Sequence, residues 1–389
     1  MKTGSRGDNT IVVLGGGIGG LTAASTLKEK LGSAVRVVLI ERKTQFQFTP
    51  SYPWLMVGMR EPSQVQKSLG VLGKKGIEVV EEEVISIDLD HKLIKASKHI
   101  FNYDYLIIAL GAEYAPSTIP GFSDYAHHIY DLDSALKFRK AIEQFKEGTI
   151  AIGISRLPFK CPAAPYEVAL LLDSYFTKKG VRDKIKLEFF TPEATPMPAA
   201  GPEIGSRVIE FLKAKKVNYH PKLKLTAIKT NALHFENGER MAYDLLFCVP
   251  PHAAPKPVVT SNLTNETGWI PVNPRTLETG HAGVYAVGDV ASIPTPHGYA
   301  PALPKAGVFA HEQAKIVANN IAVAIRGIGK MREWGGHGAC FLETGNAQGA
   351  FVEGNFLAAP RPDIRFHMPG RIYHMQKILF EKYWMDHWL

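Results

Sequence analysis

Residues 10–14 are β-branched and apolar, and they run straight into Gly15-Gly16-Gly17-Ile18-Gly19-Gly20 and a helical stretch, Leu21–Leu31. A second apolar stretch, Val35–Ile40, ends in Glu41 about 20 residues beyond the last glycine. The spacing Gly15-x-Gly17-x-x-Gly20 means little in isolation. Set between a strand and a helix, it is the turn that brings backbone N–H groups against a pyrophosphate at a helix N-terminus. An acid at the end of the next strand can accept hydrogen bonds from an adenosine ribose. This order of elements constrains the chain to an α/β fold with a parallel sheet.

Two later segments complete the first unit. Tyr105–Ile108 is a strand leading into Ala109-Leu110-Gly111-Ala112, and Gly283–Val287 is a strand ending in Gly288-Asp289. An Asp at the carboxyl end of a strand can accept hydrogen bonds near the pyrophosphate, so Ala109, Gly111, Gly288 and Asp289 join Gly15, Gly17, Gly20, Glu41 and Arg42 as candidate cofactor contacts. Val84, in a strand spanning Glu78–Asp88, could offer its backbone to an adenine. The acid run Glu81-Glu82-Glu83 reads as a solvated edge. Together these motifs resemble the two-dinucleotide-domain flavoproteins, in which the Gly-Asp pair contacts FAD.

A second unit starts at Thr149–Ile154. Its following turn, Ser155-Arg156-Leu157-Pro158, has no glycine loop, so it keeps the strand and helix without a phosphate cradle. That turn leads into Phe159-Lys160-Cys161-Pro162-Ala163-Ala164-Pro165-Tyr166-Glu167. Pro162 suits the first position of a helix, which would set Cys161 at a helix N-terminus, where a thiol pKa falls. A lone cysteine is more often core packing, and Cys248, among Leu246, Phe247 and Val249, fits that description. Lys305 precedes a helix running to about Ile325 and is suited to stabilising negative charge on a flavin edge. Cys340 falls in a probable strand.

The C-terminal stretch Arg371–Leu389 reads as an amphipathic helix. Ile372, Tyr373, Leu379, Phe380, Tyr383, Trp384 and Trp388 form an apolar stripe, with Arg371, His374, Lys382 and His387 opposite. Such a helix suits a bilayer surface, a protein core or a dimer partner; a homo-oligomer stays open. The resulting architecture is two Rossmann-like domains plus a C-terminal region. We place the FAD domain at 1–115 and 265–328, the second domain at 116–264 and a quinone- and membrane-facing region at 329–389.

Composition excludes other classes. Three cysteines among 389 residues cannot build a disulfide framework and suggest a reducing compartment. No stretch is long and apolar enough to span a bilayer, and Met1–Thr10 shows no secretory h-region. A net charge of +8 without a nucleic-acid motif does not argue for DNA or RNA. No metal site is expected.

From about Thr10 to the C-terminus the chain resembles the sulfide:quinone oxidoreductases and the flavoprotein subunit of flavocytochrome c sulfide dehydrogenase. The residues that carry the resemblance are the glycine loop with Glu41, Lys160–Glu167, Val287-Gly288-Asp289, Leu303–Gly307 and Cys340-Phe341. The resemblance implies that Cys161 and Cys340 flank the flavin and pass electrons to it from sulfide, with Glu167 as the nearby acid and Lys305 facing the flavin. It also implies that Phe341, with Phe380 and Tyr383 as looser matches, contacts the quinone. Many quinone-linked members carry a third cysteine upstream of the first of the pair. This chain has none there, so FAD is expected to bind non-covalently. The expected location is cytoplasmic, peripheral on the inner face of the membrane. A cytochrome as acceptor, a type-II NADH:quinone oxidoreductase and a non-catalytic thiol sensor remain the alternative readings.

Overall fold

A computed structural model describes residues 9–389; Met1–Asp8, and with them most of the N-terminal stretch read above as lacking a signal, lie outside the described residues. The chain begins β1 (Asn9–Leu14), α1 (Ile18–Leu31), β2 (Val35–Glu41), β3 (Glu78–Glu81), β4 (Tyr105–Ile108). It continues β5 (Gly148–Ile154), α2 (Ala164–Lys178), β6 (Ile185–Phe190), β7 (Val217–His220), β8 (Leu245–Val249). It closes with β9 (Val284–Ala286), α3 (Gly307–Arg326), β10 (His337–Gly345), β11 (Gln348–Asn355), β12 (Asp363–Gly370) and α4 (Arg371–Trp388).

The first sheet is parallel, in the order β9-β4-β1-β2-β3. Ile11 to Leu14 of β1 are fully buried, because apolar layers cover both faces of the sheet. Helices α1 and α3 pack together on one of those faces. The second sheet, β7-β6-β5-β8, is also parallel, and α2 lies against β5 and the adjoining core. An antiparallel meander, β10-β11-β12, follows, with β10 against α2 and α4 against β11. The α/β class and the two Rossmann-like units expected from the sequence are the architecture found.

The glycine loop is sterically fixed at two points. Gly15 has φ +96°, a left-handed conformation open to glycine, and a Cβ there would sit 2.4 Å from the Ala109 carbonyl oxygen. A Cβ on Gly20 would sit 1.8 Å from the Gly15 carbonyl oxygen, so α1 can cross the loop this closely only without a side chain.

Three local readings need correction. The stretch Glu78–Asp88 is two strands, Glu78–Glu81 in the first sheet and Val84–Asp88 in a separate antiparallel one. Glu82, at the break, is buried rather than solvated, and its carboxylate accepts from the backbone N–H groups of Lys98 (2.8 Å) and His99 (3.1 Å). It serves as a buried anchor for the turn between strands. Second, α2 begins at Ala164, with Pro165 in its first turn, so Pro162 and Cys161 precede the helix. Cys161 itself adopts φ 57°.

The third correction concerns α4, which forms over the expected residues but buries a mixed face: Arg371, Lys382 and His387 stay exposed as expected, and the apolar stripe is split. Trp384 and Trp388 are buried as expected, but so are His374, Lys377 and Glu381, while Ile372, Leu379 and Tyr383 are 62%, 60% and 58% exposed. The cause lies on the body of the protein. Glu167, Glu343 and Arg60 are buried or nearly so beneath the helix and require charged partners.

Gly20→Ala is expected to displace α1 from the loop, destabilising the protein by at least about 1–3 kcal/mol and lowering bound flavin per chain. The ratio of visible to 280 nm absorbance after gel filtration measures it.

Candidate active site

A cleft of about 670 Å³ runs from the glycine loop to the Cys161 segment. At its far end, Glu41 receives the Gly16 N–H (2.7 Å) and the Lys43 N–H (2.9 Å) on its two carboxylate oxygens. Arg42 lies at the rim between Glu83 (3.7 Å) and Glu113 (3.5 Å), and Val84, Ala109 and Gly111 line the wall. A Cβ on Gly17 or Gly111 would meet nothing within 4 Å, leaving room for a ligand to approach the backbone directly. Gly288, at φ +75°, donates its N–H to Gln313 (2.8 Å). The Oδ1 of Asp289 is buried without a partner, and burial raises its pKa against the opposing pull of Lys160 and Lys305. An open glycine backbone beside an orphaned carboxylate oxygen fits the pyrophosphate and sugar hydroxyls of FAD. Of the predicted cofactor residues, Gly20 alone does not line the cleft; it supports the loop from beneath.

At the near end the Cys161 and Lys305 segments are joined, the Cys161 N–H donating to the Lys305 carbonyl at 2.7 Å. The Lys305 ammonium is buried. It donates to the carbonyls of Asp289 and Ala291 and lies 3.4 Å from the centre of the Trp269 ring. Burial lowers its pKa to about 8, Asp289 partly opposing.

Cys161 and Cys340 come within electrostatic reach of each other although one follows β5 and the other lies in β10. Both are free thiols. Burial raises both pKa values, and for Cys161 the charge of Cys340 adds to the effect. The lowering expected from a helix N-terminus is outweighed by desolvation, because the thiol sits ahead of α2 in a low-dielectric pocket. Lys377 of α4 is the cation that opposes this rise at both sulfurs. Its ammonium is 2.7 Å from Glu167 Oε1, which also accepts the Glu343 N–H at 2.8 Å. Burial raises the Glu167 pKa, with Lys377 pulling it back. The adjoining pairs are His374 with Glu343 (2.9 Å) and Arg60 with Glu381 (2.6 Å). The Trp54 ring has two cations against it, Lys377 at 4.7 Å and Arg60 at 4.4 Å from its centre.

Beyond Cys340, aromatic rings lead outward. Phe341 lies 4.9 Å from Phe351 and 6.2 Å from Phe380, and Phe351 stacks on Tyr373 at 5.8 Å. Tyr383 takes no part in this group; it stays on the exposed face of α4, stacked on His387.

The family model for the pyridine nucleotide-disulphide oxidoreductases matches residues 9–155 and 167–314, most of the chain. The chain belongs to this family. FAD is accordingly its cofactor, and the cleft fits it. Mouse mitochondrial sulfide:quinone oxidoreductase is 26% identical over 366 residues, covering 90% of this chain and 79% of that protein. The crystal structure of the sulfide:quinone oxidoreductase from Aquifex aeolicus superposes with a TM-score of 0.89 at 25% identity, covering 98% of this chain and 91% of that one. A type II NADH:quinone oxidoreductase from Staphylococcus haemolyticus is 22% identical over 82% of this chain and 83% of that protein. The resemblance to the sulfide:quinone oxidoreductases read from the motifs thus extends over nearly the whole chain.

Within this pyridine nucleotide-disulphide oxidoreductase, the sequence reading named Cys161, Cys340, Glu167 and Lys305; Cys161 and Lys305 line one end of the cleft, while Glu167 and Cys340 act on Cys161 from outside its lining. It missed Lys377, Glu343 and His374. The signal was present: His374, Lys377 and Glu381 recur at intervals of three and four, a polar stripe on one face of an otherwise aromatic helix.

Lys377→Met would leave the Glu167 carboxylate buried and unpaired, at a cost of about 3–5 kcal/mol. Protonation relieves that cost. Because burial already raises the Glu167 pKa, the folded state favours its proton, so the deficit should be larger at pH 8 than at pH 5. Denaturation midpoints at both pH values test this, and adding Glu167→Gln should restore most of the loss at pH 8.

Proposed function

We propose that the protein oxidises sulfide through the Cys161–Cys340 pair, passes the electrons to FAD and delivers them to a quinone. The observation that carries this reading is one thiol, Cys161, at the end of a dinucleotide cleft, coupled by charge to a second thiol and a buried cation behind it, with aromatic rings beyond Cys340 and an exposed apolar helix face.

In the oxidised pair, hydrosulfide attacks one sulfur and the S–S bond breaks, leaving a persulfide on one cysteine and a thiolate on the other. The Lys377 ammonium opposes the cost of placing that thiolate in a buried pocket. Glu167, held between Lys377 and the Glu343 N–H, is placed to take up the hydrosulfide proton. FAD, when bound, supplies a two-electron acceptor next to the thiols. Lys305, fixed by the Asp289 and Ala291 carbonyls, sets a positive charge in the cleft wall. Sulfur leaves as zero-valent sulfur or polysulfide. Phe341 and Phe380 form the quinone contact, and the exposed location of Tyr383 gives it a place at the rim instead.

The division we propose gives 1–115 with 265–328 to FAD, 116–264 to a Rossmann-like unit without nicotinamide binding, and 329–389 to quinone and membrane. In the second unit Ser155 faces inward, its hydroxyl donating to the Val249 carbonyl (2.5 Å), and Arg156 donates to the Leu225 carbonyl (3.2 Å). These side-chain bonds tie the turn to β8 and its neighbours, and the turn has no glycine to open its backbone to a phosphate. No described helix is long and apolar enough to cross a membrane. The exposed Ile372, Met375, Leu379 and Tyr383 support a peripheral seat on a bilayer. We place it on the cytoplasmic face, because three cysteines build no disulfide framework of the kind an oxidising compartment favours. FAD is held without a covalent bond.

Anaerobic stopped-flow mixing tests the reading. Sulfide should bleach the flavin, a soluble quinone should restore it, and NADH should leave it oxidised. Cys161→Ser and Cys340→Ser should each lower the sulfide-driven rate at least a hundredfold while retaining FAD. Normal bleaching in either variant defeats the thiol mechanism. Acid precipitation should release all yellow colour from the protein; a coloured pellet would mean a covalent link.

A further inference from the structure

One stretch of the cleft lining has little support of its own. Gln45, Phe46, Gln47, Thr49 and Pro50 all line the cleft. They belong to the connection between β2 and β3, outside the parallel sheet. Gln45–Gln47 pairs with Gln66–Ser68 in a separate two-stranded antiparallel ribbon. A ribbon of two such short strands is marginal by itself. Beyond it, Tyr52, Trp54 and Leu55 are rooted in the core of the second unit, so the weakly held part is 45–50.

The last turn of α4 lies on this ribbon. Phe46 and Phe48 are buried in one apolar cluster with Trp384. The Trp384 ring stacks on Phe46 (5.0 Å, 20°) and is 5.8 Å from Phe48, while Phe380 is 6.0 Å from Phe48. A helix leaves its last four carbonyls without partners inside the helix. In α4 three of those four accept from lysines of the β2–β3 connection. Lys67, in the second strand of the ribbon, donates to the Met385 carbonyl (2.9 Å), and Lys75 donates to those of His387 (3.0 Å) and Trp388 (3.1 Å). Two cations at a helix C-terminus also meet its dipole favourably.

The same turn is fixed to the body of the first unit. His311 of α3 packs edge-on against Trp388 (5.0 Å, 84°), and its Nδ1 is 2.9 Å from the hydroxyl oxygen of Thr22 in α1. Trp384, Lys67 and Lys75 are not part of the cleft lining, and the thiol chemistry has no use for them. What they do is join a weak piece of the cofactor wall to a strong piece of the core.

We propose that the last turn of α4 latches FAD in the cleft: Trp384, Lys67 and Lys75 hold residues 45–50 in the cleft wall and thereby set how fast the cofactor leaves. All three are positioning residues, acting through Phe46 and the ribbon. FAD in the cleft is all the latch requires, so it stands or falls apart from the sulfide reading.

Release of FAD from the holoenzyme, followed by the rise in flavin fluorescence after dilution, tests the latch. The double variant Lys67→Met, Lys75→Met cuts the ties without emptying the core and should release FAD at least tenfold faster. Trp384→Leu should do the same, whereas Trp384→Phe, which keeps a ring against Phe46, should stay within threefold of the unaltered protein. Val208→Ala, fully buried in the second unit and away from the cleft lining, measures the effect of general destabilisation and should leave release within twofold. Hydrogen exchange read by mass spectrometry reports on the wall itself: the amides of 45–49 should exchange faster in the double variant while those of β1 stay protected. Unchanged release in the double variant overturns the latch, whether or not 45–49 loosens. Faster release with β1 deprotected as well, or equally fast release in Val208→Ala, overturns it too, because the effect is then a general loss of stability.

Discussion

The ion pair between Lys377 and Glu167 joins the last helix of the chain to the helix behind Cys161. Two buried charges are costly to take out of water, and they are tolerated here because each has further contacts: Glu167 accepts the Glu343 N–H, and Lys377 lies over Trp54. Replacing the pair with packed apolar groups would cost the fold little. It would, however, remove the cation that opposes thiolate burial at both cysteines. The pair therefore makes more sense as electrostatics for the site than as a device for stability, and it explains why α4 turns its charged face inward.

The inward turn of His374, Lys377 and Glu381 in turn shapes the outer surface. Glu167, Glu343 and Arg60 claim the polar face, so the apolar residues between them are left facing out. The route from thiols to exposed surface is then short, running through Phe341, Phe351 and Phe380. One helix thus supplies a charge to the redox center, an aromatic side chain to the passage and apolar side chains to the surface.

The glycine loop, Glu41, the strands and the later Gly288-Asp289 were legible because local backbone geometry dictates their residue types. Gly15 and Gly20 cannot carry a Cβ, and no distant contact is needed to see why. The Cys161–Cys340 pair was legible only through resemblance, since nothing local joins β10 to the segment after β5. The orientation of α4 was misread for a related reason. An apolar stripe predicts an inward face only if the surface beneath is apolar, and three charged residues from distant segments draw His374, Lys377 and Glu381 inward while leaving Trp384 and Trp388 buried. Glu82 and Pro162 failed through the same gap: a buried hydrogen-bond acceptor and a delayed helix start are set by neighbours far away in sequence.

The placement of β9 at the edge of the first sheet has a consequence for synthesis. Until residues 284–286 have been made, β4 is an open strand edge, and Asp289 has yet to join the cleft. At roughly 5–20 residues per second the gap lasts on the order of ten to thirty seconds, while the second domain is still being translated. A nascent chain of this architecture passes through an obligatory period with a sticky sheet edge and an incomplete cofactor pocket. Co-translational chaperones therefore have the most to shield during that interval, and ribosome stalling within the second domain would be more damaging than stalling after Asp289.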